Sequence, residues 1–408
     1  MRPYPRRINP TATKEKWSGE VLRLAWGGKG ISLHQDGRLL ILTSSLALFP
    51  GEIVEAEVVW KKKHGEGLVT RWLTPSSKRV PSQCEFGELC GGCDLWESGT
   101  YAPELKKMMV EDLFKRQLNH MDFEWMASPP EAKRHRIQLH WDGSILGFYE
   151  RKSHRIIQIR ECPVAHPALS SAIHHLREHL LNRKVPHYSQ RWELGTGSPS
   201  LKVIATTESG AHYELRNGEF YEGDHFLTEQ LGSLTLNHRP GSFFQACPEW
   251  AYKSFSSILL KSWSVSGERL FDIYGGVGLF SAILEKKFKS FYLVENSDQS
   301  IYYARKNFEK LGLDSVCVKQ DAAETKLENL CSSSDTILVD PPRSGCSIDL
   351  LNRINSCQAT TVVMIGCDGA TWARDIKRLT NFRIKSLAAI DLFPNTHHVE
   401  CLALLERA

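Results

Sequence analysis

From Pro248 to the C-terminus, helical and strand patterns alternate, and that alternation admits few folds. A helix over 248–262 leads to the short strand Leu270–Ile273, a glycine turn and a helix over 279–287. Strand Ser290–Val294, helix 298–311 and strands Ser315–Lys319 and Thr336–Val339 follow. The chain closes with strand Thr361–Ile365, helix 370–379 and strands 384–390 and 399–405. Short apolar strands separated by helices are covered on both faces, so the pattern predicts an α/β fold with a doubly wound, mainly parallel sheet. Open sheets of that kind bind ligands outside the C-terminal ends of their strands, so the chemistry is sought there.

Two other regions precede this sheet. Apolar runs at 19–24, 39–42 and 52–58, separated by turns carrying Gly27, Gly28, Gly30, Asp36-Gly37, Pro50-Gly51 and Gly65, predict a small β-barrel over 17–75. Pro75–Lys78 reads as a linker. Leu105, Met109, Leu113 and Leu118 recur at helical spacing within 101–118. Residues 123–245 read as a mixed α+β segment, with a hairpin around Asp142-Gly143-Ser144 and a strand over 200–206. The expected division is 1–78, 79–245 and 246–408.

Charge separates the parts. The chain carries a formal +4, but residues 1–80 hold 14 Lys or Arg against 7 Asp or Glu, and the remainder is slightly acidic. A basic N-terminal module on a near-neutral body suits a polyanionic partner, although Lys61-Lys62-Lys63 also reads as a solvated loop. A hydrophobic content of 41% with 24% charged residues is that of an ordinary globular protein. The basic N-terminus lacks the apolar core of a secretory signal, and the expectation is a cytoplasmic monomer without a membrane. Under that expectation, the cluster Cys84, Cys90 and Cys93, among eleven cysteines, reads as a metal or iron-sulphur site and not as a disulfide framework.

Asp272-Ile273-Tyr274-Gly275-Gly276-Val277-Gly278-Leu279-Phe280 turns the first strand of the sheet into its first helix. Glycines there let backbone approach a ligand closely, but the full G-x-G-x-x-G of a dinucleotide site is absent. Glu295 ends the next strand, where a carboxylate accepts both ribose hydroxyls, and Asp321 follows the third, level with an adenine. Acids at successive strand ends fit a neutral ribose and a sulphonium better than a pyrophosphate.

Three further segments lie at strand ends: Asp340-Pro341-Pro342-Arg343, Ile365-Gly366-Cys367-Asp368-Gly369-Ala370-Thr371, and Phe393-Pro394-Asn395-Thr396-His397-His398-Val399-Glu400. Together they resemble the RNA 5-methyluridine methyltransferase family. Phe243-Phe244-Gln245 looks like that family's Phe-Phe-Gln, and Cys84, Cys90, Cys93 and Cys162 look like its iron-sulphur ligands. Residues 17–75 look like its OB-like RNA-binding barrel, TRAM.

The resemblance implies a Rossmann-like methyltransferase sheet behind a TRAM barrel and a central iron-sulphur α+β region. It implies S-adenosylmethionine and a [4Fe-4S] cluster as cofactors. It also implies an RNA partner, with 23S ribosomal RNA favoured over a tRNA T-loop. Residue by residue, Cys367 is the nucleophile that adds to uracil carbon 6 and Glu400 the base that removes the carbon 5 proton. Gln245, Tyr274, Leu279, Glu295, Asp321 and Asp340 fall on cofactor positions. His397 and His398 are read as packing and hydrogen bonding around Glu400. Zinc competes for the cysteines, but the five-residue gap before Cys90 favours iron-sulphur. A non-catalytic RNA-binding protein is the rival from another class, which intact Cys367 and Glu400 oppose. Gly275, Gly366, Asp368-Gly369, Leu279 and Asn395 depart from the family pattern, and Lys133–Arg136 follows it only in part.

Overall fold

The computed structural model describes residues 14–182, 190–319 and 331–408, so the expected Asp321 lies outside the described residues. Among the described residues no helix is long and apolar enough to cross a membrane.

The N-terminal region is a six-stranded sheet of β1 (Glu15–Glu20), β2 (Arg23–Ala25), β3 (Lys29–Leu33), β4 (Leu39–Thr43), β5 (Ile53–Trp60) and β6 (Gly65–Thr74). Its order is β1-β5-β6-β4-β3-β2, antiparallel except where β4 pairs with β6. Val54, Ala56 and Val58 of β5 and Leu40 and Leu42 of β4 point to one side and form its core, as the two-residue repeat requires. A Cβ on Gly65 would stand 2.5 Å from Leu40, and one on Gly67 2.7 Å from Leu42, so these glycines let β6 pass close over that core.

Helix α1 (Ala102–Leu113) follows, extended by one wider turn over Phe114–Leu118, close to the expected 101–118. Next comes β7 (Glu124–Met126). The central sheet is antiparallel throughout. It comprises β8 (Arg136–Trp141), β9 (Leu146–Tyr149), β10 (Ile156–Gln158), β11 (Gln190–Thr196), β12 (Val203–Thr207), β13 (His212–Arg216) and β14 (Glu219–Glu222). Helix α2 (Pro167–Asn182), which the sequence reading did not anticipate, lays Leu169, Ile173, Leu176 and Leu180 against it. The hairpin β15 (Leu227–Leu231) and β16 (Leu234–His238) is a sheet of its own that packs Leu231, Leu234 and Leu236 into the C-terminal core.

Helix α3 (Pro248–Ser256) opens the C-terminal sheet of β17 (Arg269–Ile273), β18 (Ser290–Glu295), β19 (Ser315–Lys319), β20 (Thr336–Val339), β21 (Thr361–Gly366), β22 (Phe382–Ile390) and β23 (Glu400–Arg407). Its order is β19-β18-β17-β20-β21-β23-β22-β7, with β17 to β21 parallel and β23 antiparallel to both neighbours. Phe271, Ile273, Val362 and Met364 face one core and Leu270, Val363 and Ile365 the other, so both faces are covered.

Three expectations need correction. The helix expected over 279–287 is only α4 (Leu279–Ile283), after which the N–H groups of Glu285 and Lys287 donate three residues back, to the Ala282 and Leu284 carbonyls, in turns. A further helix, α6 (Ile348–Ser356), stands between β20 and β21, Ser347 capping it by accepting from the Leu350 N–H. Residues 124–126 do not belong to the central sheet. As β7 they pair with 388–390 of β22 and finish the C-terminal sheet.

Candidate active site

Strand order reverses between β18 and β20, on either side of β17, and that reversal opens the crevice in which such sheets bind ligands. The turn after β17 fills it with backbone. Tyr274, Gly276 and Gly278 all have positive φ, and a Cβ on Gly278 would stand 2.4 Å from Phe308, so only glycine fits there. Asp272 is buried and serves the turn: its carboxylate accepts from the Ser281 hydroxyl at 2.7 Å and the Ser281 N–H at 3.2 Å. Burial pushes its carboxyl up to about 6. Asn307 of helix α5 (Asp298–Leu311) donates to the Val277 carbonyl at 3.0 Å and fixes the far side.

Gln245, Tyr274, Leu279 and Asp340 line one cavity at this turn, with Phe243 and Gly276. Glu295 adjoins it, accepting the Gly276 N–H at 3.0 Å, with its other oxygen on the N–H groups of Asn296 and Ser297. Five of the six expected cofactor residues therefore gather at one place.

The reactive side is set by strand register. Gly366 of β21 pairs with Cys401 of β23, so Cys367, one residue beyond β21, stands beside Glu400 at the start of β23. Val339 pairs with Met364, which brings Asp340, next after β20, to the same edge. Asp368 caps helix α7 (Gly369–Arg378) by accepting the Thr371 N–H at 2.9 Å, holding Cys367 just ahead of the helix.

Electrostatics here are crowded. Burial pushes the Cys367 thiol up to about 12, and the neighbouring Glu400 and Asp340 act the same way, while the Arg343 guanidinium opposes them. Burial, and then Asp340, raise Glu400 well above the usual carboxylate range. Burial, and then Asp272, lift Asp340 to about 7. Acids this close oppose one another's ionisation.

Residues 233–408 match the family model described as tRNA (Uracil-5-)-methyltransferase. The tRNA (uracil(54)-C(5))-methyltransferase of Pyrococcus furiosus is 27% identical, over 92% of this chain and 98% of its own. The 23S rRNA (uracil(1939)-C(5))-methyltransferase RlmD of Chromohalobacter salexigens is 28% identical, over 99% of this chain and 94% of its own. The crystal structure of Pyrococcus abyssi tRNA (uracil-54, C5)-methyltransferase with S-adenosyl-L-homocysteine superposes with a TM-score of 0.72 at 26% identity, covering 95% of this chain and 100% of that one. The chain is an S-adenosylmethionine-dependent RNA uracil-5-methyltransferase.

In this methyltransferase Cys84, Cys90, Cys93 and Cys162 form no disulfide and are partly buried, and burial first, then neighbouring cysteines, raise the thiols of Cys90, Cys93 and Cys162. Arg151 donates to the carbonyls of Gly87, Cys90 and Cys93, and the Gly92 N–H points at the Cys90 Sγ at 3.3 Å. Among the described residues no three His, Cys, Asp or Glu side chains are grouped as ligands of a metal ion.

Several residues have roles that the sequence reading did not assign. Arg343 was quoted in its motif without a role, yet it is the cation facing Cys367 and Glu400. Asp94 bonds His397, and Lys106 pairs with Asp391 inside the core. Gly369 departs from the family pattern for a reason visible in the packing: a Cβ there would stand 2.5 Å from Leu113 and 2.9 Å from Trp26 of the N-terminal region. A lysine at an inward position of α1 was the one legible signal among these.

Proposed function

We propose that the methyltransferase modifies uridine carbon 5 through a covalent bond between the Cys367 sulphur and uracil carbon 6, with Glu400 removing the carbon 5 proton. The register that stands Cys367 beside Glu400 carries the reading. S-adenosylmethionine, when bound, supplies an electrophilic methyl group on a sulphonium. Gln245, Tyr274, Leu279, Glu295 and Asp340 would hold it; three N–H donors already on the Glu295 carboxylate leave it about one of its four lone-pair positions.

The residues divide the remaining work. Cys367 is protonated at rest and sheds its proton as it bonds to carbon 6; Asp340, near 7, is the neighbour suited to exchange that proton. Addition turns the ring into an enolate that is nucleophilic at carbon 5. Arg343 offsets the negative charge passing among the three acids. Glu400, acting in its ionised form once its own proton has passed to solvent or to a neighbouring acid, then takes the carbon 5 proton, the carbon 6–sulphur bond breaks, and its electron pair returns to Cys367 as thiolate. The target base leaves its stack to reach this buried edge.

Ribosomal 23S RNA is the first substrate reading. Likeness to tRNA enzymes over nearly their whole length supports tRNA as the second, because an N-terminal module common to both does not discriminate. The basic N-terminal sheet is a TRAM barrel that binds RNA, and the enzyme acts as a monomer. The chain divides at 78 and 245, with β7 crossing that boundary into the C-terminal sheet. The four partly buried thiols and the N–H aimed at Cys90 suit a [4Fe-4S] cluster, which spreads its ligands wider than one ion does. Protein purified without oxygen should carry about four irons per chain; stoichiometric zinc without iron opposes the cluster. Mapping 5-methyluridine in RNA from cells lacking the protein should find one 23S site unmethylated. Loss from tRNA alone selects the second reading, and loss from neither overturns both.

A further inference from the structure

The loop before Glu400 is held from two sides. Helix α1 holds one: buried Lys106 donates to Asp391 at 2.5 Å and to the Phe393 carbonyl at 2.8 Å. The cysteine loop holds the other. The N–H groups of Asp94 and Leu95 both donate to the Asn395 carbonyl at 3.0 Å. The Asp94 carboxylate accepts the His397 N–H at 2.8 Å and is bonded by the His397 ring through Nδ1. Arg134 donates to the Gly92 carbonyl at 3.4 Å and to the Pro394 carbonyl at 3.1 Å, joining the same two loops. Asp94 directly follows Cys93, and His397 stands three residues before Glu400, with Val399 fully buried between them.

We infer that Asp94 is a positioning residue for the proposed base: by holding His397 it fixes where Glu400 enters β23, and so joins the cysteine loop to the proton-removal step. The inference rests on the reading of Glu400 as that base. A carboxylate that accepts both a backbone and a side-chain N–H from one residue fixes that residue's position and ring orientation together. The cysteine loop thus reaches the reaction through hydrogen bonds along the backbone, without touching the reacting atoms. A loop serving only to hold RNA has no need of a carboxylate directed at His397.

Asp94→Ala and the isosteric Asp94→Asn, each checked for folding by thermal unfolding, should slow release of methylated product by up to about 10²-fold, the cost of a small misplacement of a reacting group. Methylated protein–RNA adduct should accumulate toward the level reached by Glu400→Gln, with Asp94→Asn between wild type and Asp94→Ala. The KM for RNA and the iron content per chain should stay at wild-type values. Because Asp94 acts through His397, Asp94→Ala combined with His397→Ala should be no worse than Asp94→Ala alone. An unchanged adduct fraction, a fall in iron content that accounts for the loss, or additive effects in the double variant would each overturn the inference. If Glu400→Gln accumulates adduct and the Asp94 variants do not, only the positioning role fails. If Glu400→Gln accumulates none, the base assignment and this inference fall together.

Discussion

The two halves of the sheet's C-terminal edge are built by opposite means. On the cofactor half, backbone does the work: Tyr274, Gly276 and Gly278 at positive φ, and a Glu295 carboxylate engaged with main-chain N–H groups. On the reactive half, side chains do it, and they conflict: Cys367, Glu400 and Asp340 crowd together with Arg343 as their cation. A ligand cradle needs a fixed shape, which backbone provides without titrating. A site that moves protons needs groups whose ionisation is unsettled, which burial and like charge provide. Atoms added to the backbone turn should therefore disturb the cofactor half most, and changes of charge the reactive half.

The largest effect belongs to Cys367, the proposed nucleophile. Cys367→Ala should abolish methylation while leaving S-adenosylmethionine affinity within a small factor of wild type, measured by calorimetry beside single-turnover assays. Methyl transfer by the folded, cofactor-bound variant would break the distinction between the halves. On the other half, Gly278→Ala forces a Cβ within 2.4 Å of Phe308 at φ +90°. Overpacking of this kind costs about 1–3 kcal/mol; it should appear as weaker cofactor binding with unaltered adduct formation at saturating cofactor. Equal loss of both would show the halves to be one unit.

The smallest effect concerns pH. Folding lifts Asp340 from its usual 3.8 to about 7, so the folded chain holds a proton there that the unfolded chain releases. That contribution to stability is full below about pH 4 and is lost as pH rises through about 7. Asp340→Asn should therefore reduce the fall in Tm over that window, read as the difference between wild type and variant. A variant whose Tm falls as steeply as wild type would show that Asp340 is not held protonated.

The same contrast explains what could be read from the sequence. Strand Thr336–Val339 lies where the pattern placed it, because a parallel strand covered on both faces is apolar whatever its partners. The cofactor turn was legible for a related reason, since glycines mark backbone that no side chain tolerates. Strand β7 was not, because three residues carry no period and their register is set by residues more than 260 positions away. Cys367 and Glu400 could be linked only through family resemblance, since their adjacency follows from an antiparallel register between β21 and β23. The bond from Asp94 to His397 spans 303 positions and leaves no local trace. Lys106 left a faint one, a charge on the buried face of α1 that makes sense only with Asp391 beside it.

The central claim is that Cys367 opens the reaction and Glu400 closes it, and trapping tests it most directly. RNA carrying 5-fluorouridine at the target should leave wild-type enzyme bound covalently through Cys367, because fluorine does not leave as a proton does. Glu400→Gln with ordinary RNA should form a similar denaturation-resistant adduct that already carries the methyl group, with turnover slowed roughly 10²–10⁴-fold. Peptide mapping by mass spectrometry should place both bonds on residue 367. A fluorouridine adduct on Cys367→Ala, or normal turnover by Glu400→Gln, would contradict the account.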